Sequence, residues 1–272
     1  MNTKRRIILI LFLAVLLLLA AYGLLSHLRP ALLNKPESMA FNPQNGCFLI
    51  SNVGSGQILS LDAKGNYTVF ASGLDSPRGL KAVDGSLWVA DNASLTSLDL
   101  KTGAAQTSVP LAGAKMLNDI ESDPGGRLYV TDTQANRIFV HDPATGQTES
   151  LASPLLKAPN GIVFDASRNL MLIVSFAKKS PLLSLDLATG GFSVLKTMSH
   201  DDLDGIVIDS QGWIYYSSWA GKSIHRMSPD GAEISLWQSD LRSPADIYYH
   251  QDTNEILVPL LEKNEIRRFA VD

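Results

Sequence analysis

From residue 37 onward the chain repeats itself six times with a period near forty residues, and few folds accommodate such a repeat. The segments PESMAF, PRGLKA, LNDIES, PNGIVF, LDGIVI and PADIYY open the repeats, and their second residues are Glu37, Arg78, Asn118, Asn160, Asp204 and Ala245. Successive openings lie 41 (78−37), 40 (118−78), 42 (160−118), 44 (204−160) and 41 (245−204) residues apart. Each is followed by a Gly- or Asn-containing turn and an apolar strand such as GSLWVAD or GRLYVTD. A period of this length built from short strands predicts propeller blades with four strands each.

The third repeat shows the pattern in full. Its β-branched and aromatic runs are Ile120 to Ser122, Arg127 to Thr131, Arg137 to His141 and Thr148 to Ala152. Between them stand the turns Asp123-Pro124-Gly125-Gly126 and Asp142-Pro143-Ala144-Thr145-Gly146, whose residues supply the φ values that tight hairpins need. No segment beyond residue 36 carries sustained helical periodicity. Trp-Asp and Gly-His pairs of a WD-repeat frame are absent from the sequence. The expectation is an all-β, six-bladed β-propeller over residues 29–272, preceded by an N-terminal segment, residues 1–28. The last repeat ends after its third strand, EIRRFAVD, which leaves a sheet edge to be paired. Residues Arg29 to Leu33 are expected to supply the missing strand and close the ring.

The N-terminal segment differs in composition from everything after it. Lys4-Arg5-Arg6 precedes Ile7 to Leu25, nineteen residues without a charge. A cleaved signal peptide has an apolar core of roughly 7 to 15 residues and a membrane helix needs about 20. The segment therefore reads as an uncleaved anchor through residues 7–25, with Ala21-Tyr22-Gly23 leaving signal cleavage open. In either case the basic cluster keeps the N-terminus cytoplasmic and places the propeller outside the cytoplasm, membrane-anchored or secreted or periplasmic. The single cysteine, Cys47, allows no internal disulfide. Residues 1–29 hold four of the 23 basic residues and no acidic ones, so the remainder carries 19 against 27, a net charge near −8. Such a balance argues against nucleic acid as a partner, because phosphate binding needs a positive surface.

In a propeller the innermost strand of each blade lines the central channel, and the residue that starts it sits at one mouth. Glu37 and Asp204 then share a narrow space with Asn118 and Asn160. Two facing carboxylates need compensation there, or one takes up a proton. One solution is an ion-pair network of Glu37, Arg78 and Asp204. The other is a divalent cation, whose charge two carboxylates balance while two Asn carbonyls add neutral oxygens. Oxygen ligands without His or Cys suit Ca²⁺, ahead of Mg²⁺ or Mn²⁺, with Zn²⁺ a further alternative.

PESMAFNPQNGCFLISN, LNDIESDPGGRLYVTDT, APNGIVFD and LDGIVIDSQGWIYYSSW resemble the family of senescence marker protein, gluconolactonase and luciferin-regenerating enzyme, and the resemblance runs across all six repeats. PNGIVFD taken alone is similar to an NHL repeat. Members of the family are six-bladed propellers that hold a divalent metal in the channel. The resemblance places a Glu in the first blade, Asn residues in the third and fourth and an Asp in the fifth, which match Glu37, Asn118, Asn160 and Asp204. It implies metal-dependent hydrolysis of a lactone or related ester, with Asp204 as the general base for water and Asn118 able to orient substrate as well.

One departure bears on the substrate. Sugar-acid lactonases of the family resemble one another in an Arg two residues before the third-blade Asn, and here that position is Met116, beside Lys115. A Met does not fork two hydrogen bonds to a polar sugar, so a less polar lactone is implied. Arg78, Asn118, Met116, Trp219 and His200 are the candidate substrate-binding residues. Arg78 also serves as an ion-pair partner for Glu37 or Asp204, and His200, in the loop leading to Asp204, reads first as a solvated loop histidine and second as a proton shuttle. Asp91 and Asp132 end second strands and read as turn caps. G-x-S-x-G, HExxH and paired CxxC motifs are absent. The rival class is a membrane-tethered binding module with a structural channel ion and a protein partner on an exposed face.

Overall fold

The innermost strands begin with a defect that shapes everything else. In blade 1, Pro36 pairs with Asn52 and Met39 with Ile50, so Glu37 and Ser38 together oppose the single residue Ser51. The same two-against-one bulge sets Arg78-Gly79 opposite Ala90, Asn118-Asp119 opposite Thr131, Asn160-Gly161 opposite Val174 and Asp204-Gly205 opposite Ser217. A bulge re-aims side chains and leaves a backbone group unpaired. In blades 1, 3 and 5 a hydroxyl of the second strand satisfies it: the amides of Ser38, Asp119 and Gly205 donate to Ser51 Oγ, Thr131 Oγ1 and Ser217 Oγ at 2.8, 3.0 and 2.8 Å.

The computed structural model describes residues 32–272. It contains five four-stranded antiparallel sheets and a sixth with three strands among the described residues. In blade 3 the strands are Leu117–Ser122, Leu128–Asp132, Arg137–His141 and Thr148–Ala152, within three residues of the expected runs at every boundary. Inner strands are mostly buried in their first halves and half-buried beyond, as in Leu117–Ser122 and Leu203–Ile208, and outer strands, such as Ala105–Pro110 and Thr148–Ala152, are largely exposed. Second strands are buried on both faces because each is sandwiched between adjacent blades; Leu128–Asp132 and Ile214–Ser218 are buried at every residue.

Apolar layers fill the blade interfaces. Leu49, Ile58, Leu80 and Val89 pack between blades 1 and 2, and Leu172, Val174, Ile206 and Tyr216 between blades 4 and 5. Blades 6 and 1 meet through aromatics instead: Phe41 lies 4.6 Å and Phe48 5.0 Å from His250, centroid to centroid, with the Arg268 guanidinium 5.1 Å from the Phe48 ring. Much of the acidic surplus serves turns. Asp62, Asp99, Asp142, Asp186 and Asp230 each accept the backbone N–H two residues ahead or another nearby amide after the third strand of their blade.

The ring closes at blade 6 with a contact repeated elsewhere. Lys35 N–H donates to Asn264 Oδ1 at 2.7 Å, as Ala158 N–H donates to Asn136 Oδ1 at 2.7 Å between blades 3 and 4. Asp246 N–H also donates to the Glu37 carbonyl across the seam at 3.1 Å. The expected closing strand at Arg29 to Leu33 falls mostly outside the described residues; Leu32 and Leu33 themselves are not in a strand. The anchor or signal segment, residues 1–28, also lies outside them, and among the described residues no helix is long and apolar enough to cross a membrane. Blade 6 departs from its siblings in having only Tyr248–His250 as an innermost strand, with an isolated bridge from Pro244 to Leu260. Pro244 stands where Pro36, Pro77 and Pro159 open full inner strands, so what sets blade 6 apart is Pro259 in its second strand, which has no N–H to give to a ladder.

Candidate functional site at the channel mouth

The bulges deliver two consecutive residues of each inner strand toward the channel. The upper tier is Glu37, Arg78, Asn118, Asn160, Asp204 and Ala245; the tier beneath is Ser38, Gly79, Asp119, Gly161, Gly205 and Asp246. The glycines are required by crowding. A Cβ on Gly79 would stand 2.6 Å from the Asn118 carbonyl oxygen and from Asp119 Cα, one on Gly161 2.4 Å from the Asp204 carbonyl oxygen, and one on Gly205 2.4 Å from the Ile247 nitrogen. Inner strands of neighbouring blades therefore touch backbone to backbone at this level. Below comes an apolar collar, one residue per blade: Met39, Leu80, Ile120, Ile162, Ile206 and Ile247, all buried.

Four upper-tier side chains share an unusual state. Glu37, Asn118, Asn160 and Asp204 are all buried, and each has one oxygen with no hydrogen-bond partner: Glu37 Oε2, Asn118 Oδ1, Asn160 Oδ1 and Asp204 Oδ1. Buried acceptors are ordinarily satisfied, so four orphans at equivalent positions of four blades call for a common electrophilic partner. Among the described residues no three His, Cys, Asp or Glu side chains group as a metal site; this set has two carboxylates and two amides, a hard-oxygen combination that fits a divalent cation of the Ca²⁺ type.

Electrostatics point the same way. Asp119 and Asp246 add two buried carboxylates just beneath. Burial, followed by the charges of Asp204 and Asp246, raises Glu37 well above the usual carboxylate range, while Arg78 opposes the shift. Burial and Asp119 push Asp204 up to about 7, and burial pushes Asp246 to about 7 against the bond from Ser38. Burial and Asp246 likewise raise Asp119 well above its ordinary value. Four carboxylates face one guanidinium. Arg78 forms no ion pair, and its Nε is buried without a partner. The ion-pair network that the sequence allows among Glu37, Arg78 and Asp204 is thus not formed; Arg78 acts on both carboxylates only through its field.

The backbone holds these residues in place. Thr131 Oγ1 donates to the Asn160 carbonyl at 2.7 Å, and Ser217 Oγ to the Ala245 carbonyl at 2.9 Å, so a hydroxyl of one blade fixes the start of the next. Asp119 accepts Ile120 N–H at 2.7 Å and Ile162 N–H at 2.8 Å, tying blade 3 to blade 4. Asp91 and Asp132 cap the loops that lead into their inner strands, Asp132 accepting the amides of Lys115 and Met116 at 2.7 and 3.1 Å.

Around the mouth, the residue after each of five second strands donates its N–H to the chain just before the bulge: Val53 to Lys35, Thr133 to Met116, Phe176 to Ala158, Trp219 to Asp202 and Leu261 to Ser243, at 2.8 to 3.1 Å. Trp219 and Met116 thereby stand at the rim. Trp219 packs edge-on against Phe176 at 5.7 Å, and its indole N–H is buried without an acceptor. His200 lies apart from this group in its contacts. Its ring stacks on His225 at 3.6 Å, and Nδ1 pairs with the Tyr216 hydroxyl at 3.0 Å. Burial and the neighbouring His200 push His225 down to about 4, and burial lowers His200. Phe176, Asp119 and Asp246 escaped the sequence reading, which assigned one channel residue per repeat; the clue was the small or acidic residue that follows each opening position.

The fold recurs in solved structures. A gluconolactonase from Xanthomonas campestris aligns with a TM-score of 0.72 at 17% identity, covering 83% of this chain and 83% of its own. A streptogramin B lyase aligns with a TM-score of 0.68 at 19% identity over 85% of this chain and 77% of its own. Virginiamycin B lyase from Staphylococcus aureus gives 0.65 at 17% identity over 88% and 85%. At such identities the likeness is one of fold. No curated protein matches the chain in sequence. The family model described as the SMP-30/Gluconolactonase/LRE-like region matches residues 35–259, five blades and part of the sixth, and the chain belongs to that family.

Proposed function

We propose that the chain is a metal-dependent hydrolase of a lactone or related ester, acting at the channel mouth defined by Glu37, Asn118, Asn160 and Asp204. One observation carries this reading: the four buried, unpartnered oxygens at one repeat position. Family membership, with gluconolactonase in the family's own description, supplies the reaction class.

Glu37 Oε2, Asn118 Oδ1, Asn160 Oδ1 and Asp204 Oδ1 would hold the cation, with Ca²⁺ the best match and Mg²⁺, Mn²⁺ or Zn²⁺ as alternatives. Such an ion supplies Lewis-acid polarisation of a carbonyl oxygen. Asp204 is the general base, taking the proton of the attacking water. Asn118 and Arg78 orient the substrate's polar end, and the Arg78 guanidinium offsets negative charge that builds on it. Trp219, Phe176 and Met116 give the rim apolar surface, which favours a less polar lactone over a polyhydroxylated sugar lactone. His200 supports the loop that carries Asp201 and Asp202 rather than the substrate. The basic Lys4-Arg5-Arg6 and the uncharged run Ile7 to Leu25 support display of the propeller outside the cytoplasm.

The test begins with calorimetric titration of Ca²⁺ into metal-stripped protein, beside Asp204→Ala. Saturable binding lost in the variant, with turnover of a lactone panel abolished in Asp204→Asn, is the expected result. Absence of binding by Ca²⁺, Mg²⁺, Mn²⁺ and Zn²⁺, or retained turnover in Asp204→Asn, overturns the reading.

A further inference from the structure

The opposite end of the channel opens into a cavity of about 290 Å³, formed by the second halves of the inner strands. Its walls are the apolar collar and the residues beyond it, with Tyr248 on one side. Asp119 and Asp246 reach it from the tier above, and Lys81 and Glu121 face it from blades 2 and 3.

Three carboxylates therefore meet one ammonium in a funnel whose surface is about evenly polar and apolar. Lys81 is already taken up in an ion pair with Glu121. Asp119 is satisfied too, with one backbone N–H on each oxygen. Asp246 is different. Its Oδ2 accepts the Ser38 hydroxyl at 2.6 Å, but Oδ1 receives no hydrogen bond, although the side chain is only 7% exposed and lines the cavity. Oδ1 opens onto the cavity, so a hydrogen-bond donor bound there can reach it.

We infer that this funnel binds a small organic cation, a primary alkylammonium with a compact apolar body, whose N–H donates to Asp246 Oδ1. A divalent ion would find two carboxylate oxygens without a hydrogen bond, Asp246 Oδ1 and Glu121 Oε2, where it needs six or more oxygen ligands. An ammonium needs a single charge-assisted bond, and its hydrocarbon part fits against Met39, Ile247 and the Tyr248 ring. The volume lies at the lower end of small-ligand cavities, which limits the body to a short chain or a single ring. This site faces away from the mouth assigned to hydrolysis and stands without that reading.

Cyclohexylammonium, followed by methyl NMR of the full-length protein with and without excess Ca²⁺, is the probe. Saturable shifts are expected at the methyl groups of Met39 and Ile247. Affinity should fall at least tenfold in Asp246→Asn, and likewise in Val207→Phe, whose ring fills the funnel. Cyclohexanol, with the same body and no charge, should produce no saturable shift. The assignment is overturned by a folded wild-type protein that shows no saturable shift, by cyclohexanol acting equally, or by Asp246→Asn binding unchanged. Displacement of the amine from the same methyls by Ca²⁺ would also overturn it, making the funnel a metal site. Should Asp246→Asn fail to fold, Val207→Phe and the cyclohexanol comparison decide.

Discussion

Gly161→Ala tests whether the blades abut as tightly as the channel implies. The added Cβ would stand 2.4 Å from the Asp204 carbonyl oxygen and 3.0 Å from Gly205 Cα and the Ile206 nitrogen. Ordinary contact begins near 3.4 Å, so the inner strands of blades 4 and 5 must part by about 1 Å (3.4−2.4). All three obstructing atoms are backbone, and no side chain can swing aside. A gap of 0.5–1 Å forfeits roughly a quarter to a half of the contact energy of the atoms it separates. The interface opened is the one filled by Leu172, Val174, Ile206 and Tyr216. The cost should lie at the upper end of the overpacking range, about 3 kcal/mol. At about 2–4 °C per kcal/mol for a domain of this size, the melting temperature falls by about 6–12 °C. Differential scanning calorimetry reads it directly. Gly191→Ala is the control, since its Cβ would meet only a threonine hydroxyl at 3.2 Å; it should change stability by less than about 1 kcal/mol. A Gly161→Ala protein that melts within 2 °C of wild type, in the notation of ~2 °C per kcal/mol, would refute the claim that backbone contact sets blade spacing.

Other expectations follow from the same geometry. Thr131→Val keeps the shape but strips Asp119 N–H of its acceptor and the Asn160 carbonyl of its donor; urea denaturation should show a loss of about 2–4 kcal/mol, and calorimetry a weaker Ca²⁺ affinity. Asp204 and Asp246 are raised from 3.8 to about 7 in the folded chain, so it binds protons more tightly than the unfolded chain. Their contribution to the stability of the metal-free protein is full below pH 4 and is lost as the pH rises through about 7; excess Ca²⁺ should remove this decline in thermal scans, and a decline that persists unchanged would count against the cation. His225, held near a pKa of 4, should remain neutral in an NMR titration down to about pH 4, whereas titration near 6.5 would break the proposed stack with His200.

The ring was legible in the sequence because each blade repeats the same strand and turn chemistry. In blade 3 even the boundaries of Arg137–His141 and Thr148–Ala152 follow from the runs and turns alone. The positions of Glu37, Asn118, Asn160 and Asp204 were legible for the same reason, as equivalent residues of a repeat. What strict alternation hides is the bulge. Read with a period of two, Asp119 and Asp246 point away from the channel; with two residues opposing one, both members of each pair turn toward it. The shortened inner strand of blade 6, paired only from Tyr248 to His250, was hidden too, because its opening PADIYY looks like that of every other repeat. The orphaned oxygens depend on where side chains of different repeats converge, and the stack of His200 on His225 on how the entry loop of blade 5 folds over its third strand, which no local pattern encodes.

Blade 6 meets blade 1 through the same asparagine-to-amide contact that joins blade 3 to blade 4. In topological terms the propeller is a cycle, and the order in which its blades are written is a convention of the chain rather than of the fold. A circular permutant opened at the exposed turn from Asp142 to Gly146 keeps every blade interface and differs only in which one is sewn last.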